Sequence, residues 1–133
     1  MIKKLLMTLI ISVMLHSVVI SQSHQKTQTK IEIKQKVTFI ELGSVNCIPC
    51  KKMQPIMKSV EEKYGTQVKV VFYDVWKEDQ KHYAIKYGIK LIPTQVFLDE
   101  KGKEFFRHEG FYPETEIDKL LQKKGLKPIK KKE

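Results

Sequence analysis

Val37-Thr38-Phe39-Ile40-Glu41-Leu42-Gly43-Ser44-Val45-Asn46-Cys47-Ile48-Pro49-Cys50 is the stretch on which the reading of this chain turns. Its first six residues form an apolar run suited to a strand at the centre of a sheet. Beyond Cys50, Met53, Ile56, Met57 and Val60 recur at the spacing of one buried helical face. The only two cysteines in 133 residues therefore stand where a strand hands over to a helix.

Cysteines at such a junction have unequal thiols. Unpaired backbone N–H groups and the helix macrodipole stabilise a thiolate on Cys47, at the helix N-terminus. Cys50 lies one turn further in. Cys47 is thus expected to attack an external disulfide, and Cys50 to resolve the mixed disulfide that results. Pro49 suits the first helical turn, where its missing N–H costs little. The spacer Ile48-Pro49 offers neither a donor nor a charge to hold the thiolate, which leans toward a dithiol that gives electrons away. Other uses compete with this one. A structural zinc site needs four ligands, and a single C-x-x-C supplies two. His24, His82 and His108 would have to converge to complete a zinc or copper set, so no metal is expected. A purely structural disulfide here would close a short loop and contribute little. The expected redox group is the Cys47–Cys50 pair itself, with no separate cofactor.

Outward from this stretch, Val68, Val70 and Phe72 mark another strand, and residues 79–87 a short helix closed by Gly88. Thr94 to Leu98 and Lys103 to His108 read as a hairpin around Asp99-Glu100-Lys101-Gly102. Pro113-Glu114-Thr115-Glu116 opens a last helix, with Ile117, Leu120 and Leu121 as its inner stripe. Pro55 falls inside the first helix and is expected to kink it. Strands joined through helices, followed by a hairpin, imply an α/β sheet with helices on its faces.

The two ends of the chain differ in character. Residues 1–20 read as a secretory signal: Lys3 and Lys4 start it, residues 5–15 are apolar apart from Thr8 and Ser12, and Ser21 and Ser23 suit a peptidase. The division is a signal peptide at 1–23, a polar linker and short strand (Ile31, Ile33) at 24–36, the folded domain at 37–124 and a basic tail at 125–133. The alternative for the first segment is a retained membrane anchor, although residues 5–20 are shorter than the roughly 20 that a spanning helix needs. The expected location is therefore exported, periplasmic or otherwise extracytoplasmic. A close cysteine pair can cycle there, because disulfides persist outside the cytosol. The net charge of +10 owes much to Lys123, Lys124, Lys127, Lys130, Lys131 and Lys132, read as a solvated tail. No basic, aromatic-interleaved motif points to nucleic acid.

From about Val37 to Leu121 the chain resembles the thioredoxin superfamily. Cys47-Ile48-Pro49-Cys50-Lys51 is similar to the family's redox motif C-G-P-C-K, with Ile48 in place of Gly. Pro55 matches the proline of the family's active-site helix, and Tyr87-Gly88-Ile89-Lys90-Leu91-Ile92-Pro93-Thr94 matches the segment ending in I-P-T. The resemblance implies a cis Pro93 facing the cysteines, with Ile48, Pro49, Ile92, Pro93, Thr94 and Gly110 lining a substrate groove. It implies a thioredoxin-like fold, a central mixed β-sheet flanked by helices, with the family's first helix missing.

Departures from the pattern locate this chain's own character. The family's aromatic approach to the first cysteine is replaced by Gly43 and Asn46, so the rim is expected to be more polar and less aromatic. Glu41 stands where the family has a buried aspartate, and is read as the proton acceptor for Cys50. Phe72 replaces the lysine that pairs with that aspartate, so the partner of Glu41 is open. The resemblance implies a monomeric thiol–disulfide oxidoreductase acting on protein disulfides and recharged by a membrane-embedded electron donor. A disulfide oxidase or isomerase, and a metal-binding or chaperone-like module, are the alternatives.

Overall fold

The computed structural model describes residues 34–129. The expected signal segment and the short strand at Ile31 and Ile33 lie outside the described residues, as does the chain where the family's first helix would stand.

Strand β1 (Val37–Gly43) is buried along almost its whole length, as its unbroken apolar character requires. Helix α1 (Ile48–Tyr64) follows, burying Cys50, Met53, Met57, Val60 and Tyr64 along one stripe. It continues through Pro55, whose ring nitrogen has no hydrogen to offer the Lys51 carbonyl one turn back. A 3₁₀ turn (Gly65–Gln67) leads into β2 (Val68–Asp74), which pairs parallel with β1 from Val37 opposite Val68 to Gly43 opposite Asp74. A parallel pair needs a crossover, and α1 provides it.

Helix α2 (His82–Lys86) is shorter than the 79–87 read from the sequence. Gln80 is drawn back instead: its side-chain oxygen accepts the Asp74 N–H at 2.8 Å, so residues 75–81 turn before the helix begins. Strand β3 (Thr94–Asp99) runs antiparallel to β1, and β4 (Glu104–Glu109) antiparallel to β3, giving the order β2-β1-β3-β4. The hairpin turn is tied by Asp99, whose carboxylate accepts the N–H groups of Lys101 and Lys103. Helix α3 (Glu114–Lys123) buries Ile117 and Leu121, with Leu120 at the margin.

The sheet separates two apolar layers. On one face Phe39 stacks on Phe97 at 4.7 Å between centroids, beneath Met53, Met57, Val60 and Tyr64 of α1 and Ile117 and Leu121 of α3. On the other, Ile40, Leu42 and Val96 meet Val75, Tyr73, Tyr83 and Tyr87. Lys63 of α1 holds both Glu114 and Asp118 of α3. The fold does not stop at residue 124. Leu126 is buried, Gln67 exchanges two hydrogen bonds with the Lys127 backbone, and Ile129 donates its N–H to Lys63, so residues 125–129 lie along the domain rather than trailing as a tail.

Candidate redox site

The strand ladders bring the site together. Gly43 at the end of β1 sits opposite Asp74 at the end of β2; Leu42 sits opposite Thr94 at the start of β3, and Thr94 opposite Glu109 at the end of β4. The segments carrying Cys47, Trp76, Pro93 and Gly110 therefore all leave the sheet at one end.

Cys47 and Cys50 form a disulfide, with Cys50 fully buried and Cys47 nearly so. Cys47 is the N-cap of α1, and its sulfur accepts the Cys50 N–H at 3.3 Å. A helix N-terminus stabilises negative charge, so the geometry favours a thiolate at this sulfur once the bond is reduced. The approach to Cys47 is fixed by Ser44, whose hydroxyl accepts the Asn46 N–H and whose carbonyl accepts the Cys47 N–H. Ile48 is 72% exposed, beside the disulfide. Pro49 is exposed too, in the first turn of the helix.

The Ile92–Pro93 peptide bond is cis. The Pro93 carbonyl accepts the Gly110 N–H at 2.7 Å, and Gly110 reaches that position with φ 91°, a conformation that favours glycine. Thr94 is buried and its hydroxyl donates to the Leu91 carbonyl at 2.7 Å, so its side chain braces the turn from within. Ile92 makes no backbone hydrogen bond among the described residues.

Glu41 is completely buried, on the same face of β1 as Gly43 and one pleat away. A Cβ built on Gly43 would come within 3.1 Å of the Cys50 sulfur, so this face of the strand abuts the inner cysteine. Burial pushes the Glu41 carboxyl up to about 8, opposed by the Gln95 side-chain amide, which donates to it at 2.9 Å. Gln95 faces Glu41 across the β1–β3 ladder and supplies the partner left open by Phe72, which faces Glu41 from β2. One oxygen of each side chain is buried without a partner. A protonated carboxyl is the form that carries a donor, which the Gln95 oxygen lacks.

Three contributors escaped the sequence reading. Gln95 is one. Asp74 is another: its buried carboxylate accepts the Val45 N–H at 3.4 Å and the Trp76 N–H at 3.2 Å, binding the Cys47 approach to the segment after β2. An acid closing an apolar strand was the available signal. The third is Trp76, 62% exposed, which with Ile48 and Leu91 gives this end of the molecule a more apolar and aromatic surface than Asn46 and Gly43 suggest. Among the described residues, no group of three or more His, Cys, Asp or Glu is placed to hold a metal ion.

A cysteine-capped helix carrying a disulfide on a four-stranded mixed sheet defines a redox-active oxidoreductase. The family model of the thioredoxin-like domain matches residues 23–125, and the chain belongs to that family. It is 28% identical over 92 residues to thioredoxin of Bacillus subtilis, covering 69% of this chain and 86% of that one. The SPbeta prophage-derived thioredoxin-like protein YosR of the same organism is 31% identical over 84 residues, covering 63% and 94%. Among solved structures, thioredoxin NaTrxh from Nicotiana alata superposes with a TM-score of 0.58 at 30% identity, over 67% of this chain and 73% of that one.

Proposed function

We propose that this protein is an exported dithiol reductant of protein disulfides. The observation that carries the proposal is the position of Cys47, which caps a 17-residue helix while Cys50 is sealed beneath it. In the reduced protein the Cys47 thiolate attacks one sulfur of a substrate disulfide, and the other sulfur leaves as a thiolate that takes up a proton. Cys50 then loses its proton to Glu41 and attacks the Cys47 sulfur. The Cys47–Cys50 bond forms, and the second substrate thiol is released. Two electrons pass from the dithiol to the substrate, and no other cofactor enters.

Glu41 suits its part because burial raises its proton affinity to about 8, well above that of an exposed carboxyl, so it holds the proton it takes up. Ile92 and Pro93, beside Gly110, present backbone along which an extended substrate segment adds as a strand. Ile48 and Pro49 flank the attacked bond. The reductant reading draws on the exposed, apolar Ile48, which has no group to hold the Cys47 thiolate.

Export rests on the pattern of residues 1–23, and with it the supply of electrons from a membrane-embedded donor to a monomeric protein. Replacing Cys50 by Ser in cells tests the whole scheme. Mixed disulfides through Cys47 are expected, holding substrate and electron donor on the outer side of the membrane. Absence of any Cys47 adduct would overturn the exchange mechanism. A reduction potential near about −120 mV, rather than near about −270 mV, would make the protein an oxidant.

A further inference from the structure

Trp76 is the only tryptophan in the chain and is 62% exposed. A side chain that large, left in water, contributes little to the core. Nor is its backbone free: the Trp76 N–H is held by Asp74, and the neighbouring Val75 N–H is held by the Gly43 carbonyl at 2.9 Å. The indole is thus carried on a backbone fixed to the approach segment of Cys47. Beside it lies a groove of about 280 Å³ formed by Val75, Trp76, Ala84, Ile89, Leu91 and Ile92, with Lys90 adding the charge. Leu91 is 45% exposed. Ile92 belongs both to this groove and to the cis turn, so the groove continues the surface along which a substrate segment is proposed to lie.

We propose that this groove receives one large apolar side chain, aromatic or long aliphatic, from the polypeptide whose disulfide is exchanged, and that Trp76 sets the preference for it. The inference rests on the proposed reductant function and names a class of substrate for the same site. An apolar side chain that leaves water against Trp76 and Leu91 gains transfer free energy, and it anchors its own cysteine beside Cys47. A polar residue at that position gains nothing there. Ile85, 85% exposed and not among the residues that line the groove, has no such role and serves as a control.

The test uses the reduced full chain and a pair of disulfide-containing peptides that differ only in having Phe or Ser beside one cysteine. Placing that residue in turn on the N-terminal and C-terminal side covers both directions of binding. In at least one placement the Phe peptide is expected to react with kcat/KM about tenfold higher than its Ser counterpart. Trp76→Ala is expected to abolish that preference and Ile85→Ala to keep it, and Ile85→Ala to reduce 2-hydroxyethyl disulfide as the parent does. Equal rates for Phe and Ser in both placements, or a preference that survives Trp76→Ala, would overturn the proposal. If the parent reduces no disulfide at all, the function fails, and binding is judged separately. Cysteine-free versions of the peptides are then titrated against the fluorescence of Trp76. A saturable blue shift with the Phe peptides alone supports the groove; an unchanged spectrum overturns it.

Discussion

On the face of β1 turned toward α1 and α3, Phe39 is followed by Glu41 and Gly43; on the opposite face stand Ile40 and Leu42. Every one of these side chains is removed from water, yet only the first face carries a carboxyl and a missing side chain, both at the end nearest Cys50. Burying a carboxyl with one hydrogen bond is unfavourable, and a glycine inside a strand forgoes packing. The aliphatic face shows what the strand does for stability. The other shows what it gives up to place a proton acceptor and a bare backbone against a buried sulfur.

The largest test of that contrast is Glu41→Gln. Folding raises the affinity of Glu41 for its proton from 4.5 to about 8, so the folded protein binds a proton that the unfolded chain has released between those values. Stability on this account is fully present below pH 4.5 and is lost as pH rises through 8, a total of about 4–5 kcal/mol. Glutamine cannot ionise, and its amide adds the donor that the Gln95 oxygen lacks. In the oxidised form, denaturant unfolding at pH 5 and pH 9 is expected to show the parent weakening and the variant nearly constant. Resolution of the mixed disulfide should slow by about 10²-fold and lose its rise through pH 8. A variant that keeps the parent's pH dependence would assign it to another group.

Leu42→Ala is the matching change on the aliphatic face. It removes a fully buried side chain from among Ile40, Val75 and Val96, at a cost of about 3 kcal/mol. Thermal or denaturant unfolding should register that loss, while the rate of disulfide exchange at a temperature where the variant stays folded remains that of the parent. A large fall in exchange rate would mean that the two faces are not separable.

How much of this was legible follows the same division. The strand-to-helix reading of residues 37–60 needed only periodicity, and the cysteine pair needed only its spacing, because both are local. Pro93 and Gly110 became meaningful through order along the chain, and the structure joins them by one hydrogen bond. The partner of Glu41 was hidden because Gln95 is fifty-four residues away and meets it through strand register, which a sequence does not display. Asp74 and Trp76 were hidden for a related reason. The turn from Val75 to Lys81 replaces the start of an expected helix, since Gln80 folds back to the Asp74 N–H instead of continuing the helical pattern. Residues 125–129 looked like part of a tail because of the lysines on either side of them, and the buried Leu126 together with hydrogen bonds between their backbone and Gln67 and Lys63 hold them against the domain.

The smallest effect, and the most specific, is expected from Gly43→Ala. A methyl at this position would lie 3.1 Å from the Cys50 sulfur, 3.2 Å from its Cβ and 3.3 Å from the Phe72 ring. These contacts are tight without being impossible, and the outcome depends on which neighbour yields. In the oxidised protein the Cys50 sulfur is bound to Cys47 and cannot turn away, whereas a free thiol can adopt another rotamer. The methyl therefore disfavours the disulfide relative to the dithiol. A difference of about 1 kcal/mol corresponds to a potential more oxidising by about 20 mV. Equilibration with glutathione buffers measures it, and Leu42→Ala, on the far face, supplies the control whose potential should not move. An unchanged potential in Gly43→Ala would mean that Phe72 gives way in the sulfur's place, and that the bare backbone of this face does not constrain the redox pair.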